Sequence, residues 1–207
     1  MSLDDDTRPP RLGRRVCVVG DALVAGVGDA RSLGWTGRVG ARTPQDGVVT
    51  TMFPLGVPGE GTAGLLGRWI PETSLRWHPE AENRLVVGLG RGDIDQGTSL
   101  ARSRLNLANI LDEAASRGVR SMAVGPPPTL DGSINDRLAE LSTALQDVCE
   151  RRGVPYVDCY GPLSSHEQWY ADLAAGDGTH PGQAGYGLMA WLVLHGGWYA
   201  WLGVPQP

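Results

Sequence analysis

Short apolar runs that end at or beside a glycine, alternating with helix-like segments, are the feature that most restricts the fold of this chain. The runs predict strands over residues 16–19, 48–55, 85–89, 119–124 and 154–159. Between them, apolar spacing predicts helices over 34–42, 62–70, 100–117 and 134–152. Pro71 and Gly118 are expected to end the second and third of these helices. A last helix is predicted from just after Pro181 to about residue 194, before Gly196.

The alternation of strand and helix predicts the architecture. Five repeats favour a three-layer α/β fold, with a five-stranded parallel sheet and helices on both faces, as in flavodoxin-like proteins. The length of 207 residues fits a single domain over 15–207. The preceding residues, 1–14, are expected to form a disordered lead-in. Binding sites on such a sheet lie beyond the carboxyl ends of the strands.

Composition excludes several kinds of chemistry. All 18 basic residues are arginine, so no lysine is present to form a Schiff base, hold pyridoxal phosphate or serve a P-loop. The three cysteines lie apart in apolar runs and are expected to be buried reduced thiols rather than zinc ligands. No metal site and no cofactor is predicted.

Charge and hydropathy indicate the partners. A net charge of −5 with scattered arginines gives no footprint for nucleic acid or an anionic membrane. The polar N-terminal residues do not resemble a signal peptide, and the longest apolar region, 186–194, is far too short to span a membrane. The sequence therefore predicts a cytoplasmic protein acting on a small molecule, and it leaves the oligomeric state open.

Four segments at predicted strand ends and before the last helix carry the strongest functional signal. They are G-D-A-L at 20–23, G-V-P-G at 56–59, G-R-G-D at 90–93 and D-G-T-H-P at 177–181. In this order and spacing the chain resembles the SGNH (GDSL-type) hydrolases, a family of esterases and acylhydrolases. The resemblance extends from Val16 to about Trp191, and D-x-x-H-P is its most specific part.

The resemblance implies roles for several residues. In that family a serine attacks the acyl carbon, a histidine is its general base, and an aspartate three residues earlier orients the histidine. The histidine corresponds to His180 and the aspartate to Asp177. Gly56 corresponds to a glycine whose N–H belongs to the oxyanion hole, while Asp21 and Asp93 match the acidic members of the first and third segments.

Two important positions depart from the family pattern. Ala22 stands at the nucleophile position, and Gly92 stands where the family has an asparagine that completes the oxyanion hole. Pro54 also replaces an asparagine found in many relatives. Loss of a serine nucleophile costs about 10⁶-fold in kcat, and loss of one oxyanion donor costs about 10²–10³-fold. Ester hydrolysis by the serine route is therefore not expected.

The remaining residues suit acid–base chemistry. His180 with Asp177 forms a base, Asp21 and Asp93 would bring carboxylates to the same edge, and Arg91 would hold an anionic group. Small residues at 22 and 92 are expected to leave extra room in the pocket. The leading hypothesis is an isomerisation, elimination, cyclisation or ring opening of a small carbonyl-containing or hydroxylated molecule.

Other interpretations remain open from the sequence alone. The chain is an esterase or acylhydrolase whose nucleophile has been mutated to Ala22, or it is a catalytically silent binding protein that keeps the pocket. Asp21 and Asp93 also fit a purely structural role in hydrogen bonding, and Arg91 also fits a solvated loop charge.

Overall fold

A five-stranded, all-parallel sheet forms the centre of the computed structural model, which describes residues 12–207. The strands are β1 (Arg14–Gly20), β2 (Thr50–Gly56), β3 (Glu82–Gly88), β4 (Arg120–Val124) and β5 (Tyr156–Val157). Most of the predicted lead-in, residues 1–11, lies outside the described residues. The first strand begins at Arg14, two residues before the predicted start.

The strand order is β2-β1-β3-β4-β5, which is the doubly wound order with a switch point between β1 and β3. Gly20 at the end of β1 pairs with Gly56 of β2 on one side and with Gly88 of β3 on the other. Strands β2, β1 and β3 therefore end level with one another, and the segments that follow them meet at one edge. The predicted α/β class and the parallel sheet are confirmed.

Helices cover both faces of the sheet. They are α1 (Ala22–Ala25), α2 (Gly34–Arg42), α3 (Thr62–Ser74), α4 (Gly92–Asp95), α5 (Leu100–Ser116), α6 (Gly132–Glu150), α7 (Tyr160–Leu163), α8 (Glu167–Ala174), α9 (Gln183–Val193) and α10 (Tyr199–Leu202). A π-helical turn, Leu194–Trp198, joins the last two, and Gly196 and Gly197 leave helical geometry there, where the sequence predicts an interruption.

Two hydrophobic cores hold the layers together. The core on the side of α2, α8 and α9 contains Trp35, Trp169 and Tyr186, all fully buried. The core on the side of α3, α5 and α6 contains Trp69 and Leu107. Strands buried on both faces require side chains that are apolar on both faces, which is why their sequences are continuous apolar runs.

The end of one helix differs from its prediction. Pro71 was expected to stop the second helix at residue 70, but α3 continues through it to Ser74. Proline inside a helix removes the hydrogen bond to the carbonyl four residues earlier and crowds that carbonyl, a cost that favourable packing can offset. Trp69 and Thr73 on either side of it are buried, so tertiary packing keeps both turns helical.

Candidate functional site

The base predicted from D-x-x-H-P is an assembled pair in the structure. His180 Nδ1 lies 2.6 Å from Asp177 Oδ2, and the backbone N–H of His180 donates to Asp177 Oδ1 at 2.7 Å. The backbone N–H of Thr179 also donates to Oδ1, at 2.9 Å. Burial opposes ionisation of Asp177, but hydrogen bonds from His180 and Thr179 outweigh it and lower its pKa to about 2. The carboxylate is therefore ionised at neutral pH and fixes the imidazole ring.

The loop between α1 and α2 packs directly on His180. Gly28 has a φ of +91°, and a β-carbon there would lie 2.8 Å from the Pro181 carbonyl oxygen and 3.1 Å from the His180 β-carbon. Tyr186, on α9, donates a hydrogen bond from its hydroxyl to the Val27 carbonyl at 2.7 Å. The loop therefore packs on the histidine segment and is tied by a hydrogen bond to α9, the helix that follows that segment.

Asp21 caps the short helix that follows β1. Its Oδ1 accepts from the backbone N–H of Leu23 at 3.0 Å, and only 6 % of the residue is exposed. A β-carbon at Gly90 would lie 1.9 Å from Asp21 Oδ2. The third segment can therefore come this close to the carboxyl only because residue 90 is a glycine. Burial raises the pKa of Asp21 to about 6, although the Leu23 N–H and the positive charge of His180 lower it in part.

Asp21 and His180 line the same small cleft, which has a volume of about 20 Å³, room for about one water molecule. The other lining residues are Leu23, Arg91, Pro127, Thr129 and Thr179. Two titratable groups thus face one space at the carboxyl edge of the sheet. The segment after β4, which contributes Pro127 and Thr129, was identified from the sequence only as a strand end.

Arg91 lies at the rim of this cleft, and its guanidinium already makes hydrogen bonds to other residues of the protein. Its guanidinium makes a bidentate pair with Asp95, at 2.8 and 3.0 Å from Nε, and Nη1 donates to Thr179 Oγ1 at 3.3 Å. The hydrogen bond to Asp95 raises the pKa of Arg91. The predicted contact with an anionic group would therefore compete with Asp95.

The structure places Asp93 apart from His180. Its Oδ1 accepts from the backbone N–H of Thr62 at 2.8 Å and from the Thr62 hydroxyl at 3.0 Å. Asn106 donates to the same hydroxyl at 3.0 Å, and Asp93 is 4 % exposed. Asp93 therefore holds the start of α3 against the third segment, which is the structural alternative considered for it.

The position of Gly92 corrects one expectation. The absence of a side chain was expected to leave room in the pocket, but a β-carbon at Gly92 would lie 2.1 Å from the Glu60 carbonyl oxygen and 2.8 Å from the Gly61 nitrogen. The backbone of the loop after β2 fills this space. The physical reason is that the backbone of this loop packs directly against Gly92, which has no side chain to keep it away.

An ion pair that sequence reasoning missed holds this loop in place. Arg68 on α3 pairs with Glu60, with Nε 2.7 Å from Oε1 and 2.9 Å from Oε2. Its Nη2 also donates to the carbonyls of Gly20 at 3.0 Å and Leu55 at 2.9 Å. One guanidinium thus ties the ends of β1 and β2 to the loop. No short motif marks it, because an eight-residue spacing across a loop has no local pattern.

Ala22 and Gly56 lie beside Asp21, below the cleft. Ala22 is the first residue of α1 and is 4 % exposed. A β-carbon at Gly56 would lie 2.3 Å from the Ala25 nitrogen and 2.5 Å from the Asp21 carbonyl oxygen, so this glycine allows α1 to pack on β2. Within the described part of the chain, Gly56 does not line the cleft that contains His180.

Trp35 and Trp169 do not line the cleft. Trp35 is buried in the core, and so is Trp169, whose indole N–H donates to the Pro128 carbonyl at 3.1 Å. The hydrogen bond from Trp169 fixes the segment that carries Pro127 and Thr129.

Across residues 12–207, no group of three or more His, Cys, Asp or Glu side chains is arranged to hold a metal ion. No helix in this range is long and apolar enough to cross a bilayer.

Comparison with known proteins agrees with this geometry. The model of the GDSL-like Lipase/Acylhydrolase family matches residues 18–188 of the chain. No match was found among the curated proteins.

Several solved structures share the fold. A lipolytic protein of the G-D-S-L family from Veillonella parvula has a TM-score of 0.74 at 20 % identity, covering 88 % of this chain and 97 % of that one. A lipase/acylhydrolase from Enterococcus faecalis has a TM-score of 0.72 at 24 % identity, covering 87 % and 93 %. The acetylxylan esterase Axe2 from Geobacillus stearothermophilus has a TM-score of 0.74 at 16 % identity, covering 95 % and 99 %.

Proposed function

Since this chain belongs to the GDSL-like lipase/acylhydrolase family, we propose that it keeps the family fold but uses His180 and Asp177 for acid–base chemistry instead of serine-based ester hydrolysis. The substrate class is a small carbonyl-containing or hydroxylated molecule. The reaction is a proton transfer that results in isomerisation, elimination, cyclisation or ring opening.

The observation that carries this proposal is the Glu60 carbonyl at Gly92. Acyl transfer requires hydrogen-bond donors aimed at the developing oxyanion. Here the Glu60 carbonyl oxygen lies 2.1 Å from where a β-carbon of residue 92 would be, so the loop backbone fills the space that an asparagine side chain would need. Together with alanine at position 22, this leaves neither a nucleophile nor the side-chain donor.

The remaining geometry supports a base in the cleft. Because Nδ1 of His180 is engaged by Asp177, Nε2 is the ring nitrogen that accepts a proton from a C–H beside a carbonyl or from a hydroxyl. Asp21 lines the same cleft, and its pKa of about 6 lets it exist in both protonation states near neutral pH. Asp21 can therefore donate a proton to a substrate atom other than the one from which His180 accepts its proton. Thr129 and Thr179 provide hydroxyls that orient oxygen atoms of the substrate.

Hydrogen exchange at carbon tests this proposal with a panel of simple compounds. The protein is incubated in D₂O with α-hydroxyketones and β-hydroxy acids, and deuterium incorporation at carbon is followed by NMR. We expect exchange of at least one member, reduced about 100-fold or more in His180→Ala. The variant His78→Ala, which lies outside the cleft, is the matched control and should keep the rate. Exchange that is absent across the panel, or unchanged in His180→Ala, contradicts the proposal.

The alternative of an esterase with a mutated nucleophile is tested by Ala22→Ser. Activity with 4-nitrophenyl acetate should stay within about threefold of the unmodified chain, because residue 22 is buried and does not line the cleft that contains His180, so the new serine lacks its general base. Recovery by a factor of about 10³ or more would support the esterase interpretation instead. A silent binding protein would retain a panel compound and release it unchanged, with no deuterium at carbon.

A further inference from the structure

A second cavity, with a volume of about 650 Å³, opens at the edge of the sheet opposite the cleft. Its walls come from the end of α5, the starts of β4 and β5, and α10. Leu111, Val119 and Val154 give it an apolar side, and Arg120, Ser121 and Trp201 also line it. This size and composition are typical of small-molecule sites, which combine apolar walls with a few polar groups.

Buried donors in the walls of this cavity have no partner. Ser121 Oγ and Trp201 Nε1 form no hydrogen bond within the described residues, although the two residues are only 8 % and 3 % exposed. Nε of Arg84, whose guanidinium lies 5.6 Å from the centre of the Trp201 ring, is likewise unpartnered. An unsatisfied buried donor is costly, and Ser121 and Trp201 both line the cavity, so their two donors indicate a missing acceptor there.

The charge around the cavity is positive, as a site for an anionic acceptor requires. Arg14 and Arg84 share one carboxylate, Glu82, and Arg120 forms no ion pair with any residue in 12–207. Burial, followed by the positive charges of Arg120 and Arg14, lowers the pKa of Arg84 to about 10. Three guanidinium groups facing one carboxylate leave this edge positive, although the whole chain carries a net charge of −5.

We propose that this cavity binds a small monocarboxylate with a short apolar tail. The carboxylate pairs with Arg120 at the rim, and a change of side-chain rotamer brings the Ser121 hydroxyl and the Trp201 N–H to it. The tail lies against Leu111 and Val119. The site lies at the edge opposite His180, and it does not depend on the reaction proposed there.

The probe is sodium hexanoate, with hexylammonium and 1-hexanol as matched compounds of the opposite and zero charge. A ligand of this size is expected to bind with a Kd of about 1 mM. At about 10 mM it should raise the Tm by roughly 4 °C. In ¹⁵N-edited NMR spectra the indole N–H signal of Trp201, assigned by its loss in Trp201→Phe, should shift saturably. Neither matched compound should produce these effects.

Variants then separate a built site from a general charge effect. Arg120→Gln and Ser121→Ala should each weaken hexanoate binding about fivefold or more. Arg31→Gln removes an exposed arginine in the loop between α1 and α2, at the opposite edge of the sheet, and should leave the Kd unchanged. The proposal would be overturned if hexylammonium bound as well as hexanoate or if the chemical shift of the Trp201 indole N–H did not change. It would also be overturned if the Kd for hexanoate were unchanged in Arg120→Gln.

Discussion

The carbonyl oxygen of Glu60 lies 2.1 Å from the point that a β-carbon at Gly92 would occupy. The loop after β2 therefore packs directly on Gly92, and a larger residue at position 92 would require a change in the conformation of the loop. The loop is held by the pair of Glu60 with Arg68, which also binds the ends of β1 and β2. An asparagine at position 92, as in the family pattern, would therefore require this loop to move.

Restoring the family asparagine should destabilise the protein. In Gly92→Asn the new side chain meets backbone atoms, so the loop must move, and we expect the free energy of unfolding to fall by about 3 kcal/mol. Urea denaturation measures the loss. Gly67→Ala is the control, since a β-carbon there meets nothing within 4 Å and should raise stability by about 0.5–1 kcal/mol. Equal behaviour of the two variants would show that the loop does not confine position 92.

Arg68→Met should loosen the loop and the ends of β1 and β2. The variant removes two carbonyl contacts and leaves the Glu60 carboxylate without its partner, at a cost of about 2 kcal/mol in the free energy of unfolding. Arg117→Met breaks an exposed pair with Glu113 and should cost less than about 0.5 kcal/mol. Amide hydrogen exchange of residues 57–61 should rise only in the first variant. If protection there is unchanged, Arg68 does not hold the loop.

Asp21→Asn should change how stability depends on pH. The folded pKa of Asp21, about 6, lies above its ordinary value of 3.8, so the folded state binds the proton more tightly. Stability is therefore lost as pH rises from about 3.8 through about 6, and the neutral asparagine avoids this loss. The stability of the variant relative to the unmodified chain should rise by about 3 kcal/mol over that range and then stay constant. A difference that does not vary with pH would contradict the buried carboxyl.

Asp177→Asn should show the opposite sign. The folded pKa of Asp177, about 2, lies below its ordinary value of 3.8, so its contribution is present above about pH 3.8 and is lost as pH falls through about 2. The side chain is 57 % exposed, which limits the effect to less than about 1 kcal/mol. Denaturation curves at several acidic pH values should show the two proteins converging on acidification. A gap that widens below pH 3.8 would exclude the pair with His180.

Much of the fold was predictable because it follows from local patterns. Apolar runs that end at glycines predicted the strands, and helix α2 has the predicted bounds of 34–42. The pair of Asp177 with His180 was also expected, because the resemblance of D-x-x-H-P to the SGNH hydrolases implies it. The end of α3 was not, because the buried Trp69 and Thr73 override the local effect of Pro71.

By itself, the sequence determined the family pattern, the alternating α/β order, and which chemical groups exist at positions 22, 92, 177 and 180. Only the tertiary structure decided which of those groups meet. It placed Asp21 beside His180 and Asp93 against Thr62, and it filled the space at Gly92 with the Glu60 carbonyl. The physical reason is that these contacts join separate strand ends, where position depends on the packing of loops and on a single arginine rather than on local pattern.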